Sequence, residues 1–145
     1  MSKTIPIRNY TELIERLQEE RIPFRRVENE DAVAVPIKLG KEDSVLHIRW
    51  ESTPGVIQFI QMLPFVVPQE RIDSVAILIG RFNVSLPILG FTLNPKNGVV
   101  AYRTHTFLGK EASVAPGMLG ALIAYAARTT TAFLPVLRAA AMNAA

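Results

Sequence analysis

Cysteine is absent from this 145-residue chain, and histidine and tryptophan occur only twice and once. The lack of cysteine excludes disulfide bonds, thiolate metal sites, iron–sulfur clusters and cysteine nucleophiles. Charge is also low: the net charge is +3, too small for a polycationic surface. Hydrophobic residues make up 49% of the chain, which excludes intrinsic disorder. We expect one compact domain that spans residues 1–145.

Export and membrane signals are the next features that the sequence lacks. The amino-terminal residues have neither an apolar core nor a small-residue cleavage site, so they do not predict a signal peptide. Two long stretches carry no charge, residues 52–69 and 112–127. Prolines interrupt the first, and the second is shorter than the ~20 residues of a membrane-spanning helix. We therefore expect a cytoplasmic protein with no membrane partner.

The two histidines are the first candidates for acid–base or metal chemistry. His47 and His105 lie in alternating strand patterns, each with an arginine, Arg49 or Arg103, on the same strand face. A neighbouring cation lowers the pKa of a histidine and disfavours a divalent ion. No second ligand stands at a zinc-site spacing from either residue. The sequence therefore predicts no metal and no cofactor.

Catalytic and nucleic-acid motifs are missing as well. The chain has no Gly-x-Ser-x-Gly elbow, no Walker A loop and no dinucleotide-binding glycine pattern. The Gly-x-x-Gly at residues 117–120 is surrounded by apolar residues, whereas an RNA-binding loop of this type has basic neighbours. We expect no nucleic-acid partner and no enzyme. A polar cleft with coupled titrating residues would revive an enzyme of unrecognised type.

The first helix has a clear amino-terminal signal. Asn9 is a good cap, Glu12 is placed to complete a capping box, and Arg16 could pair with Glu12. Pro23 ends the helix by about residue 21. Its apolar stripe consists of Tyr10, Leu13, Ile14 and Leu17.

Alternating patterns predict four strands after this helix. Residues 24–28 and 32–37 form two of them, and Pro36 predicts that the second lies at a sheet edge. In the third strand Trp50 shares a face with Leu46 and Ile48, so we expect it to be substantially buried. Residues 56–63 are apolar on both faces, which indicates a central strand covered on both sides.

A second helix begins at Pro68 and is apolar on most sides, which predicts burial by more than one layer. Asn97-Gly98 then joins the strand around residues 89–93 to a return strand at residues 100–102. The last helix is expected from Ser113, with Pro135 kinking or interrupting it. Its predicted stripe is Met118, Leu122, Tyr125, Thr129, Phe133 and Leu137. The order α-β-β-β(-β)-α-β-β-α predicts an α+β fold, an antiparallel sheet with helices packed on it.

Apolar residues in two predicted connections are the least expected feature. Phe65 and Val66 precede the second helix, and Leu86 and Ile88 follow it. Loops normally lie on the surface, so these four residues are either folded into the core or form a contact patch for a partner. The surplus of apolar surface also predicts a homodimer, because symmetric dimers commonly bury such a surplus.

Part of the chain resembles a known family. The run of residues 67–107 and the end of the last helix resemble the YbjN-domain family, which is bacterial sensory transduction regulator-like. The fold of that family is similar to type III secretion chaperones. The matching segments are residues 68–71, Asn83, residues 86–91, 94–98, 100–103 and 133–137.

The resemblance implies a non-enzymatic, dimeric protein that uses apolar sheet surface to hold a partner polypeptide, as a chaperone or a regulator does. It carries over no catalytic residue. The alternative is a sensory or regulatory domain that binds a small ligand in a concave pocket. In that case His105, Arg103 and Tyr102 would supply the polar groups. The identity of the partner or ligand and the pathway stay open.

Overall fold

The computed structural model describes residues 5–51, 55–108 and 113–142. Its elements are β1 (Ile5–Pro6), α1 (Tyr10–Glu19), β2 (Arg25–Arg26), β3 (Ala32–Leu39), β4 (Glu42–Glu51), β5 (Val56–Val66), α2 (Ile72–Ser85), β6 (Phe91–Leu93), β7 (Val99–Phe107), β8 (Ser113–Val114) and α3 (Met118–Met142). The fold is α+β, as predicted. The predicted order of elements is recovered, with the short strands β1 and β8 in addition.

Six strands form one antiparallel sheet in the order β2-β3-β4-β5-β7-β6, and β1 pairs with β8 separately. The strand β5 is central, as its sequence predicted. The edge prediction for Pro36 also holds locally, because β2 pairs only with Val33 and Ala34 of β3. Beyond that point β3 has a neighbour on one side only among the described strands.

The hydrophobic core lies between one face of this sheet and the helices. Alternate strand residues such as Ile48 and Phe59, which lie opposite each other, point into it and are fully buried. All three helices contribute buried side chains to the same cluster, among them Leu13 and Leu17 of α1, Val75 and Ile79 of α2, and Leu119 and Leu137 of α3. The described helices therefore cover one face of the sheet.

The prediction that residues 56–63 are covered on both sides is wrong. Phe59 is fully buried on the helix side, but Met62, on the opposite face of β5, is 45% exposed. Because strand side chains alternate between faces, a strand can be apolar on both faces while only one is covered. The second face of β5 belongs to a sheet surface that the described helices leave uncovered.

The amino-terminal helix keeps its predicted cap but not its predicted pairing. The side chain of Asn9 accepts a hydrogen bond from the backbone N–H of Glu12 at 2.9 Å. The Glu12 carboxylate reaches past Asn9 and accepts hydrogen bonds from the backbone and side chain of Arg8. Arg16 pairs instead with Glu19, at 2.7 Å. Arg8 thus binds the Glu12 carboxylate in place of the two expected partners, the backbone of Asn9 and the side chain of Arg16.

Two expectations about the second helix and its connections are also wrong. After a 3₁₀ turn at Gln69–Arg71, α2 buries one side only, and Ile77 and Val84 on its outer side are 60% and 89% exposed. Phe65 and Val66 do not lie in a connection, since β5 continues to Val66. The prediction from apolar composition therefore gave too much burial for α2 and too short a strand for β5.

The last helix begins later than predicted and is rotated relative to the predicted stripe. Ser113 pairs with Pro6 as part of β8, and α3 starts at Met118 and continues through Pro135. Its buried residues are Leu119, Ile123, Ala126, Thr130, Leu134, Leu137 and Ala141. Of the predicted stripe only Leu137 is among them. Small residues at Ala126 and Ala141 can occupy the buried side because α3 packs directly on β5.

Among the described residues, α3 is long and apolar enough, by length and composition alone, to cross a membrane. Its 25 residues continue past residue 127, where the uncharged stretch judged too short for a membrane span ends. The core helix of a globular protein passes the same test, and α3 contacts β3, β5 and β7.

Two glycine-to-alanine substitutions are expected to change the free energy of unfolding in opposite directions. Gly98 has a φ of +73° in the β6–β7 turn, and an added Cβ would clash with the backbone carbonyl of Val67. We expect Gly98→Ala to lower the free energy of unfolding by about 1–3 kcal/mol. Gly80 lies in α2 with open space around it, so Gly80→Ala should raise stability by about 0.5–1 kcal/mol. Urea unfolding of both variants measures this, and equal changes would contradict the placement of the turn.

Candidate binding face of the sheet

The sheet surface opposite the helices is the candidate functional site, and we call it the open face. Strand register brings its residues together from five strands. Its members are Arg25, Ala34, Pro36, Val45, His47, Arg49, Glu51, Val56, Gln58, Ile60, Met62, Val66, Ala101, Arg103, His105 and Phe107. The period-2 alternation that buries Phe59 and Tyr102 on the helix side places these residues on the other side.

Exposed apolar side chains occur at several positions of the open face. Met62, Val66 and Phe107 are 45%, 58% and 63% exposed, and Ile60 and Val45 are half-buried. Exposed apolar residues scattered singly need no explanation, but a set on one sheet face does. These side chains make the face suitable for contact with another apolar surface.

Cationic residues flank the middle of the open face. One row across the strands runs through Arg25, Ala34, His47, Ile60 and Arg103, each opposite the next. Arg25 and Arg103 therefore stand at the two ends of a row whose centre includes the apolar Ile60.

The positive charges of the face differ in whether a carboxylate already compensates them. Arg49 lies 3.4 Å from the carboxylate of Glu30. Within the described residues Arg25 and Arg103 have no such ion pair, and Arg103 donates to the neutral amide oxygen of Gln58 at 3.1 Å. Gln58 donates in turn to Glu51 over 3.5 Å. The uncompensated charge is thus concentrated at the two ends of the row.

His47 is held in its neutral form by its surroundings. Partial burial is the main cause that lowers its pKa below the ordinary value of 6.5, and the positive charge of Arg25 contributes. Its ring Nδ1 atom is buried and has no hydrogen-bond partner among the described residues. At neutral pH this ring is therefore an uncharged part of the face.

Two shallow depressions share the side chains of Arg103 and His105. The larger, about 610 Å³, is lined on its other sides by Glu51, Val56, Gln58, Thr104 and Phe107. The smaller, about 450 Å³, lies toward β6 beside Leu89. Two of the three residues suggested from sequence for a small-ligand site, Arg103 and His105, do come together here.

Tyr102, the third residue suggested for that site, lies on the opposite face. Its hydroxyl donates to the carbonyl of Ile88 at 2.7 Å, and burial raises its pKa to about 12. The side chain is fully buried against Phe91. Tyr102 therefore belongs to the core and cannot line a pocket with its neighbour Arg103.

The four residues suggested for partner binding do not form one patch. Val66 lies on the open face, opposite Val99. Phe65 and Leu86 are partly buried against the core, and Ile88 is half-buried with its carbonyl bound by Tyr102. The sequence analysis missed Ile60 and Met62, although the apolar residues on both faces of β5 were the signal that could have found them.

No group of three or more histidine, aspartate or glutamate side chains in the described ranges is placed to hold a metal ion. Several carboxylates are instead paired with a basic side chain, such as Glu42 with Arg138 at 2.7 Å.

Comparison with known proteins agrees with this architecture. The family model YbjN, described as "Putative bacterial sensory transduction regulator", matches residues 9–139. The chain belongs to the YbjN family. A search of curated proteins finds no match to it.

A solved structure supports the fold of this YbjN-family chain. It is similar to the "Crystal structure of YbjN, a putative transcription regulator from E. coli", with a TM-score of 0.67 and 14% sequence identity. The similarity covers 90% of this chain and 90% of the other. The recognition made from residues 67–107 and the last helix is therefore confirmed. The likeness to secretion chaperones stays a prediction.

The titration of His47 tests the packing of the open face. Because its folded-state pKa lies below 6.5, the neutral ring contributes stability above pH 6.5, and this is lost as the pH falls through the folded-state pKa. NMR titration of the ring should therefore give a midpoint below 6.5, with His47→Gln used for assignment. A midpoint above 6.5 would show that the ring is solvated or paired with an anion.

Proposed function

We propose that this YbjN-family protein is a non-enzymatic, cytoplasmic regulator that holds a partner polypeptide on its open face. The family description supports a regulatory role. The observation that carries the binding role is the uncovered sheet face, where Met62, Val66 and Phe107 stay exposed opposite a well-packed core.

The energetics of that face favour a macromolecular partner. Fully burying a large apolar side chain contributes roughly 1.5–3 kcal/mol, so the three partly exposed residues could together contribute several kcal/mol. The open face spans five strands and its depressions are shallow, which favours a broad contact over an enclosed ligand site. Polar groups between the apolar residues would give such a contact its specificity.

The polar side chains of the open face are linked by hydrogen bonds. They form the chain Arg103–Gln58–Glu51, in which an amide separates the cation from the carboxylate. Neither histidine of the face is in an ion pair within the described residues. A nucleophile activated by an adjacent base, as covalent catalysis needs, is not among the hydrogen bonds of this face.

A small-ligand-binding role is the second candidate, and the 610 Å³ depression favours it. Arg103, His105 and Gln58 could bind an anionic group there, while Val56 and Phe107 contact an apolar part of the same molecule. A rise in melting temperature with a defined small carboxylate would support this role over the first.

The homodimer also remains part of the proposal. Two open faces packed against each other would bring Arg25 and Arg103 of one copy near the same positive residues of the other, so we expect any dimer to use another surface. Sedimentation equilibrium at micromolar concentration tests it. A single 16.1 kDa species without concentration dependence would remove the dimer from the proposal.

Site-specific photo-crosslinking tests the role of the open face. A photoreactive amino acid replaces Met62 on the open face or, as the matched control, Ile77 on the outer side of α2; the two side chains are 45% and 60% exposed. We expect one defined polypeptide adduct in the native cell from position 62 and none of that size from position 77. Introducing Ile60→Lys should abolish the adduct.

An adduct from position 77 alone, or the same adduct from both positions, would contradict the proposal. Each variant is first checked for an unchanged melting temperature, so that loss of an adduct reports the contact and not unfolding.

A further inference from the structure

We infer that the occupant of the open face is an amphipathic helix whose apolar side is flanked by acidic residues. This inference rests on the proposed function and names the chemistry of its partner. It is carried by the row from Arg25 to Arg103, in which two arginines stand at the ends and Ala34, His47 and Ile60 lie between them.

The spacing of the two arginines fits a helix that lies along the strands. Arg25 and Arg103 are separated by four strand spacings, about 19 Å at about 4.8 Å each. A helix with its side chains is about 10–12 Å wide, so it fits between them with room for one carboxylate on each flank. Beneath it lie the small Ala34, the neutral His47 and the apolar Ile60.

Backbone hydrogen bonding favours a helix over an extended segment on this face. The N–H and C=O groups of the inner strands are paired with their neighbours in the plane of the sheet. An extended segment lying across the face would leave its own buried backbone groups without partners, which is costly. A helix satisfies those groups internally.

The charge of the face favours an acidic partner over a second copy of the chain. Within the described residues Arg25 and Arg103 have no carboxylate partner, and His47 is neutral at pH 7. Glu51 is the opposing charge on this face, and it accepts a hydrogen bond from Gln58. The whole chain carries +3, so another copy brings repulsion where an acidic helix brings attraction.

Other parts of the 145 residues do not supply this occupant. The stretches outside the described ranges are residues 1–4, 52–54, 109–112 and 143–145. None is longer than four residues, which is little more than one helical turn. The occupant is accordingly tested as a separate peptide.

The test uses a synthetic 18-residue amphipathic peptide with leucine on its apolar side and glutamate on both flanks. The control peptide carries lysine in place of each glutamate. We expect the acidic peptide to bind the full chain, measured by fluorescence anisotropy, and to become more helical by circular dichroism when bound. Its affinity should fall with added salt, since the flanking charges are exposed.

Charge reversal on the protein locates the contact. Arg103→Glu and Arg25→Glu should each weaken binding of the acidic peptide by about tenfold. Arg81→Glu changes the net charge equally but lies on the exposed side of α2, so it should change affinity less than about twofold. The double variant Arg25→Glu/Arg103→Glu should bind the lysine peptide in preference to the glutamate peptide.

The inference would be overturned by no binding of the acidic peptide, by equal binding of both peptides, or by equal weakening through Arg81→Glu. Binding as a strand, seen as β-structure in the circular dichroism spectrum, would point to a sheet edge and also overturn it. If position 62 still crosslinks a polypeptide that the acidic peptide does not displace, the inference fails while the proposed function stands.

Discussion

The structure depends on a single constraint: one layer of helices packs against one face of a six-stranded sheet. Residues such as Phe59 and Ile48 lie in that contact and are fully buried, while their strand neighbours emerge on the other side. Because the described helices lie together on the core side, the second sheet face keeps its apolar residues exposed. The candidate site is thus a consequence of how the core is built.

The position of α3 over the sheet is fixed at both of its ends. The Glu20 carboxylate accepts a hydrogen bond from the backbone N–H of Gly120 at 2.9 Å, near the amino terminus of α3. Arg71 donates to the carbonyl of Ala140 at 2.8 and 3.0 Å, near its carboxyl terminus. A negative group at the first turn and a positive group at the last both match the helix dipole. These contacts join α1 and the start of α2 to α3.

A similar polar contact joins α2 to the sheet. The side-chain amide of Asn83 accepts from the N–H of Phe91 at 2.8 Å and donates to its C=O at 2.9 Å. The Asn83 side chain therefore binds backbone groups of β6 that a further strand would otherwise bind. Asn83 was part of the sequence resemblance to the YbjN family, and its role here is to anchor the end of α2 to the edge strand.

Local patterns predicted much of the fold, because caps, turns and alternation act over a few residues. Asn9, the Asn97-Gly98 turn and the central position of β5 are examples that hold in the structure. The start of α3 could not be predicted in the same way, since Ser113 is held in β8 by its pairing with Pro6. That contact spans more than a hundred residues of sequence and leaves no local signal.

The candidate site was only partly predictable for a related reason. Arg103 and His105 were identified, and the structure brings them together. Their grouping with Tyr102 was wrong, although alternation already places adjacent strand residues on opposite faces. Whether an apolar strand face is covered depends on how many helices pack there. Composition does not contain that information, so Ile77 was expected to be more buried than it is.

Solvent paramagnetic relaxation of side-chain methyl groups in the free 145-residue chain tests the central claim most directly. A soluble paramagnetic agent should strongly relax the methyls of Met62 and Val66 on the open face, and those of Ile57 and Leu63 on the other face of the same strand should stay protected. Equal protection on both faces of β5 would show that the second face is covered. That result would contradict the account of an open binding face.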